Sequence, residues 1–336
     1  MCNKGIYDIY IASCVQTGGI YHYKLQNGSL HFADFTPMDR PMYAVIENQK
    51  LYVLLRAPFE NGESGVVGYT LDDSGKPVDP SPVRSTKGIV ACHLLVDQGD
   101  VYCANYISGS LCKLPGQMVQ PQGHGPHPTR QESPHMHFVG LTPDGNYICA
   151  ADLGTDTVYV YDRKLKLHSS AKVPSGHGVR HLAFSQDGKW MFAANELKST
   201  VSAFAYCDGN LELVDTCSAL PADFAGESAI AAIRVKDGHI YVSNRGHDSV
   251  SKLSFDGQKL TMLQSFPAGG KTPRDFSFVG QQMLCANQDS DTVTLLDEEQ
   301  GILQSVSVEA PVCVCVESQL GVTEYDGPHN TEYDSV

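Results

Sequence analysis

Residues 133–161 read "SPHMHFVGLTPDGNYICAADLGTDTVYVY". Two histidines precede a short apolar segment. The sequence Thr142, Pro143, Asp144, Gly145 then signals a turn. A second apolar segment ends at Asp152, and after another turn Thr157–Tyr161 alternates apolar and polar again. Runs this short, bounded by turn residues, predict an antiparallel meander of strands rather than a helix.

The arrangement recurs. It is found in "RPMYAVIENQKLYVLLRAP" from Arg40, "IVACHLLVDQGDVYCANYISGSL" from Ile89 and "GVRHLAFSQDGKWMFAANELKSTV" from Gly178. It returns in "IAAIRVKDGHIYVSNRGHDSV" from Ile230 and "TPRDFSFVGQQMLCANQDSDTV" from Thr272. The central apolar positions Tyr52, Tyr102, Tyr147, Met191, Tyr241 and Met283 are 50, 45, 44, 50 and 42 residues apart. A period of roughly 40–50 residues built from strands alone is the mark of a propeller.

Six units are visible, and the chain ends supply a seventh. "YDIYIASC", "GGIYHYKL" and "SLHFADF" are three N-terminal strands, and "APVCVCVE" from Ala310 is a single strand left over. Joining them completes a four-stranded blade and removes two exposed strand edges. The expectation is an all-β, seven-bladed β-propeller over residues 1–320. In it, residues 310–317 form the innermost strand of the blade made by residues 5–36. Residues 321–336 carry no apolar periodicity and are expected to be a loosely ordered tail. No helical period persists anywhere. The Pro-rich stretch "LPGQMVQPQGHGPHPTRQES", residues 114–133, is expected to be a long loop between blades rather than a strand, and long loops often carry function.

The chain has 336 residues, 42% hydrophobic and 18% charged, which suits a large core and argues against disorder. No apolar run approaches the ~18 residues of a membrane span, so no membrane partner is expected. The N-terminus lacks the layout of a secretory signal and reads as a strand. The 11 cysteines fall mostly within strand-like segments, and no C-x-x-C pair occurs. They are read as reduced core thiols of a cytoplasmic protein. A net charge of −14 excludes non-specific nucleic-acid binding. An anionic ligand would need a local cluster of Arg and His. A ring that closes on itself is expected to be a monomer.

Such a cluster is predicted by the repeat. In a propeller the residues at equivalent ends of different blades meet around one axis. His135 and His137 lead into one innermost strand, Arg180 and His181 into the next, and Arg274 into another. The following strands end in Asn105-Tyr106, Asp152, Asn195-Glu196, Asn244-Arg245 and Asn287-Gln288. The repeated Asn has a structural reading, since Asn closes turns on its own backbone. The varied residue after it has none, and a shared pocket would explain it. His-x-His with His181 and Glu196 also resembles a metal-ligand set. Arg180, Arg245 and Arg274 would crowd a cation there, so no metal is expected. The mixture suits an anionic substrate held by Arg forks, with Glu196 or His137 as general base. His135, His181, Arg274, Asn244 and Gln288 complete the set as candidate substrate contacts.

The segments "RQESPHMH…AADLGTDTV", "GVRHLAF…ANELKSTV", "SNRGHDSV", "TPRDF…ANQDSDTV" and "CANYISGSL" resemble the lactonase family of seven-bladed propellers. Its members are similar to bacterial 6-phosphogluconolactonase and fungal carboxymuconate cyclase. The resemblance spans roughly residues 5–317. It implies a metal-independent enzyme acting on a lactone, with no nucleotide cofactor and with His137, Arg180, Glu196 and Arg245 as its functional residues; the Arg and His cluster adds that the partner is a small anionic lactone. The second unit departs from the pattern: Arg56 stands where an Asn-Glu type ending is common. A lactonising isomerase using the same pocket and a non-catalytic binding platform are the rival readings. The first would be separated by its products from 6-phosphogluconolactone and carboxymuconate, the second by its inertness toward both.

Overall fold

The computed structural model describes residues 6–318. Seven antiparallel sheets follow one another along the chain. Blade 1 comprises Tyr7–Ser13, Gly19–Gln26 and Ser29–Pro37, completed on its inner side by Pro311–Ser318. Blade 2 spans residues 41–89, blade 3 residues 91–119 and blade 4 residues 136–172. Blades 5, 6 and 7 span residues 179–218, 229–267 and 273–307. The sequence therefore locates the closure strand to within one residue. The tail expected at 321–336 lies outside the described residues.

Two details differ from expectation. Gln117–Val119, inside the Pro-rich stretch, pairs with Ser110–Leu114 as the outer strand of blade 3. The stretch is thus a strand followed by a loop over residues 120–135: three residues suffice at an edge where only one side needs a partner. In blade 2 the outer strand is split, with Pro77–Val78 and Arg84–Ile89 both pairing along Glu63–Leu71.

Local chemistry accounts for the repeating turns. In "TPDGN" and "SQDGK", Asp144 accepts from Thr142 Oγ1 and Asn146 N, and Asp187 accepts from Ser185 Oγ and Lys189 N. Gly145 and Gly188 sit at φ +71° and +69°, which a side chain would oppose. The D-[ST]-V motif does a different task. Asp156, Asp248 and Asp291 adopt left-handed φ of 55°, 55° and 53°. Each carboxylate accepts a backbone N–H from the segment entering the next blade: Gly176 and Gly178, Thr272, and Ala310 respectively. These three clamps fix where the innermost strands of blades 5, 7 and 1 begin.

Closure is held at three depths. Pro311–Ser318 hydrogen-bonds along Tyr7–Ser13. Ile9, Ile11 and Val314 pack with Leu284, Val293 and Leu295 of blade 7 in one buried cluster. At the outside, the Gln304 side chain accepts from Leu30 N at 2.8 Å and donates to Leu30 O at 3.0 Å, spanning blades 7 and 1. No helix is long and apolar enough to cross a membrane among the described residues.

Candidate active site

Six of the seven innermost strands contain a register shift near their start that skips one residue: Met42, Cys92, His137, Arg180, Arg274 and Val312. In the remaining strand, of blade 6, Ala231 and Ala232 stand opposite Ser243 between the paired Ile230 and Ile233. A β-bulge turns its extra residue out of the ordinary alternation. Here the shift recurs at equivalent positions around the axis, so residues far apart in sequence converge. Met42, Cys92, Arg180, Arg274 and Val312, with Tyr43, His181 and Asp275, line a small central cavity of about 10 Å³.

Arg180 joins this cavity to an ionic cluster. Its Nε lies 3.0 Å from Glu196 Oε2 and its Nη1 donates to Ala231 O at 2.6 Å. Arg245 Nη2 lies 3.0 Å from the same Oε2, with further bonds to Ala229 O and Ile230 O. Glu196 opens the one-turn 3-10 helix Glu196–Lys198, which follows the strand Trp190–Asn195. Its other oxygen, Oε1, accepts from Arg130 Nη2 at 2.5 Å. Burial alone would raise the Glu196 carboxyl. The guanidiniums of Arg245, Arg180 and Arg130 outweigh it and hold the group well below the usual carboxylate range. Arg180 is pushed down to about 9 by burial and by Arg245, so it stays charged at neutral pH.

Beside this cluster stands a row of rings. Tyr106 meets His137 edge-on at 5.5 Å, His137 meets His181 at 5.4 Å, and His181 meets His93 at 5.1 Å. Burial, reinforced by Arg180, drives His137 and His181 well below the ordinary histidine value. Both are therefore neutral imidazoles. Their Nδ1 atoms are buried and have no hydrogen-bond partner among the described residues.

Of the residues singled out in the sequence, His137, Arg180, Glu196, Arg245 and His181 come together. Arg274 joins them by its place in the bulge ring and by the cavity it shares with Arg180; its Nη1 donates to Gln288 Oε1 at 3.4 Å. His135 is held behind the site. Its ring stacks on Tyr106 at 4.6 Å and bonds to Tyr106 O and Glu132, so it orders Tyr106. Asn244 is placed differently from Arg245: its amide is fully buried and donates to Ser249 Oγ and Ser251 Oγ of the neighbouring strand. It faces the blade interior because side chains alternate along a strand, and Arg245 takes the site side. Asn105, Asn195 and Asn287 make the same kind of bond to Ser or Thr. Arg56 is exposed and lies on the Cys14 side of the centre. Arg130, Tyr106 and His93 were not selected from sequence. Arg130 lies in the long loop flagged there, and Tyr106 follows a repeating Asn, so each carried a signal.

Among the described residues no group of three or more His, Cys, Asp or Glu side chains is arranged to hold a metal ion. The site is a cation-rich centre with the ionised Glu196 carboxylate and neutral imidazoles, set where the blades of a seven-fold propeller converge. The family described as lactonase, 7-bladed beta-propeller, matches residues 8–318, and the chain belongs to it. An uncharacterised protein of Staphylococcus epidermidis is 30% identical over 328 residues, covering 89% of this chain and 95% of the relative. A Bacteroides fragilis crystal structure bearing the name "putative 6-phosphogluconolactonase" is 25% identical with a TM-score of 0.84, covering 94% of this chain and 99% of that one. The periplasmic gluconolactonase of Pseudomonas aeruginosa shares the fold, at 24% identity and a TM-score of 0.82 over 93% and 99% of the two chains.

Proposed function

We propose that this protein hydrolyses an anionic sugar lactone, with 6-phosphogluconolactone as the assigned substrate and 6-phosphogluconate as the product. The observation that carries the reading is the Glu196 carboxylate fixed between Arg180 and Arg245, with neutral His137 alongside. Family membership and the name carried by the Bacteroides fragilis neighbour point the same way.

Glu196 and His137 take different parts. A carboxylate stabilised by three guanidiniums is a weak base. Its task is to hold Arg180 and Arg245 in place. His137, a neutral imidazole beside the Arg180–Glu196 pair, is the base. Water gives its proton to His137 as its oxygen attacks the lactone carbonyl. Arg180 and Arg245 hold the resulting oxyanion, a contribution of ~3–4 kcal/mol where such donors are preorganised. As the carbonyl re-forms, the ring C–O bond breaks and the His137 imidazolium returns the proton to the departing alkoxide. No metal or organic cofactor enters this sequence of steps. The protein acts as a monomer in the cytoplasm.

The test is a rapid assay of 6-phosphogluconolactone opening, with spontaneous hydrolysis subtracted and EDTA as a control. A parallel assay with carboxymuconate reads the isomerase alternative. A rate above background that EDTA leaves unchanged supports the proposal. Background rates with both compounds would leave the binding-platform reading in its place.

A further inference from the structure

Three guanidiniums meet at Glu196, but they are held differently. Arg180 and Arg245 stand on strands and are tied to backbone carbonyls of blade 6. Their side chains are 3% and 17% exposed. Arg130 comes from the loop between blades 3 and 4, and its side chain is 39% exposed. It donates from Nη2 to Glu196 Oε1, and from Nε and Nη2 to Tyr106 Oη at 3.4 and 3.3 Å. Its Nη1 has no hydrogen-bond partner among the described residues.

The loop is nevertheless rigid at this point. Gln131, the next residue, is fully buried, and its Nε2 donates to Leu153 O at 2.8 Å and Asp156 Oδ1 at 2.7 Å. Gln131 N bonds to His127 O, and Gly125 N bonds to Gln131 O. Asp156 is also the clamp that fixes the entry to blade 5 through Gly176 and Gly178. One buried network therefore anchors both the Arg130 backbone and the strand bearing Arg180. A solvent-facing guanidinium, oriented on one edge by a carboxylate and free on the other, is a preorganised fork for an anion.

We infer that Arg130 is a specificity-determining residue that grips the anionic substituent of the substrate through its unused N–H groups while Glu196 and Tyr106 hold it in position. The inference rests on the proposed lactone-opening reading for its substrate and extends it to a residue of the loop.

The test compares wild type, R130A and R130K with 6-phosphogluconolactone and uncharged glucono-δ-lactone. The expected result for R130A is that the ratio of kcat/KM between the phosphorylated and uncharged lactones falls about ten-fold, mainly through KM for the phosphorylated compound, as loss of a charge-assisted contact requires. R130K restores part of the ratio, since it returns the charge without the fork. An unchanged ratio, including an equal loss on both lactones, overturns the inference. Calorimetric binding of 6-phosphogluconate, which needs no turnover, separates this failure from failure of the proposed function. R130A should bind it about ten-fold more weakly than wild type. If the wild type opens neither lactone, the function falls and calorimetry alone decides. Equal binding by R130A and wild type, or no binding by the wild type, then overturns the role of Arg130.

Discussion

Arg180 Nε stands 3.0 Å from Glu196 Oε2, and neither side chain is more than 4% exposed. The pair brings together a bulge residue of an innermost strand and the first residue of a 3-10 turn in the same blade. Removing one member of a buried pair leaves the other charge uncompensated, a loss of about 3–5 kcal/mol. In Glu196→Gln the effect is spread over three guanidiniums, so Arg130, Arg180 and Arg245 repel one another. The thermal midpoint should drop, and kcat/KM should fall by about 10² or more as the oxyanion donors lose their alignment. Sulfate or inorganic phosphate should recover part of the midpoint by occupying the vacated charge position. Differential scanning fluorimetry with and without sulfate reads this directly. A midpoint unaffected by the substitution would show that the pair is not an energetic element of the fold.

The buried imidazoles make stability depend on pH with a definite sign. His93, His137 and His181 are all driven below the ordinary value, chiefly by burial and then by nearby guanidiniums. Unfolded histidine takes up a proton near pH ~6.5. Between that value and the lower folded values the unfolded chain binds more protons, so stability falls as pH drops through the window and is level above it. Each group contributes at most ~1.4 kcal/mol per pH unit there. His181→Gln should flatten the slope of urea midpoint against pH between about 5 and 6.5, with no change in slope above it. Equal slopes for the variant and the wild type would mean that His181 is not buried as a neutral ring.

Catalysis should follow the same titration. His137 acts as the neutral form, so the acid limb of kcat/KM should lie below the ordinary histidine value. His137→Asn should lower kcat by about 10²–10⁴ and remove that limb, because the base itself is lost. Glu196→Gln should lower the rate and move the limb further down, because the Glu196 charge opposes the depression of His137. Stopped-flow or pH-stat rates across pH 5 to 8 in the two variants distinguish them. A normal limb in His137→Asn would move the role of base elsewhere.

The period of the apolar segments made the ring legible. Once seven blades were counted, His137, Arg180, Glu196 and Arg245 had to approach one axis. Two features were beyond the reach of that pattern. The bulge that turns out Arg180 and His137 is a local departure from the ladder, and nothing in "GVRHLAF" or "SPHMHF" marks where the register skips. Arg130 lies in a segment with no period at all, so its approach to Glu196 depends on where Gln131 is buried. Asn244 shows the limit of adjacency as a guide. Adjacency to Arg245 suggested a shared pocket, whereas period-two alternation sends neighbours to opposite sides.

That alternation yields a prediction for Asn244. Its amide donates to Ser249 Oγ at 3.2 Å and Ser251 Oγ at 2.9 Å inside blade 6, with no solvent exposure. Asn244→Ala should lower stability by about 1–3 kcal/mol by removing two buried hydrogen bonds, while KM for the lactone stays within about two-fold, since the residue adds no binding interaction. Urea melts and initial rates on the same preparation check both parts. A large rise in KM with unchanged stability would restore Asn244 to the substrate pocket.

Ring closure can be tested at its two edges. Gln304 bridges blades 7 and 1 through two bonds to one residue, Leu30. Replacing it with Ala should lower stability by about 1–2 kcal/mol, the sum of two modest net hydrogen bonds. Ending the chain at Ala310 is far more severe. It strips Tyr7–Ser13 of its inner partner and removes Val312, Cys313 and Val314 from two buried clusters. It also exposes Ile9 and Ile11 at an open strand edge, a template for aggregation. The truncated chain should be recovered in large aggregates on gel filtration, whereas Gln304→Ala elutes as the wild type does. If the chain ending at Ala310 were soluble and melted at the wild-type temperature, the inner strand would not be what holds the first and seventh blades together.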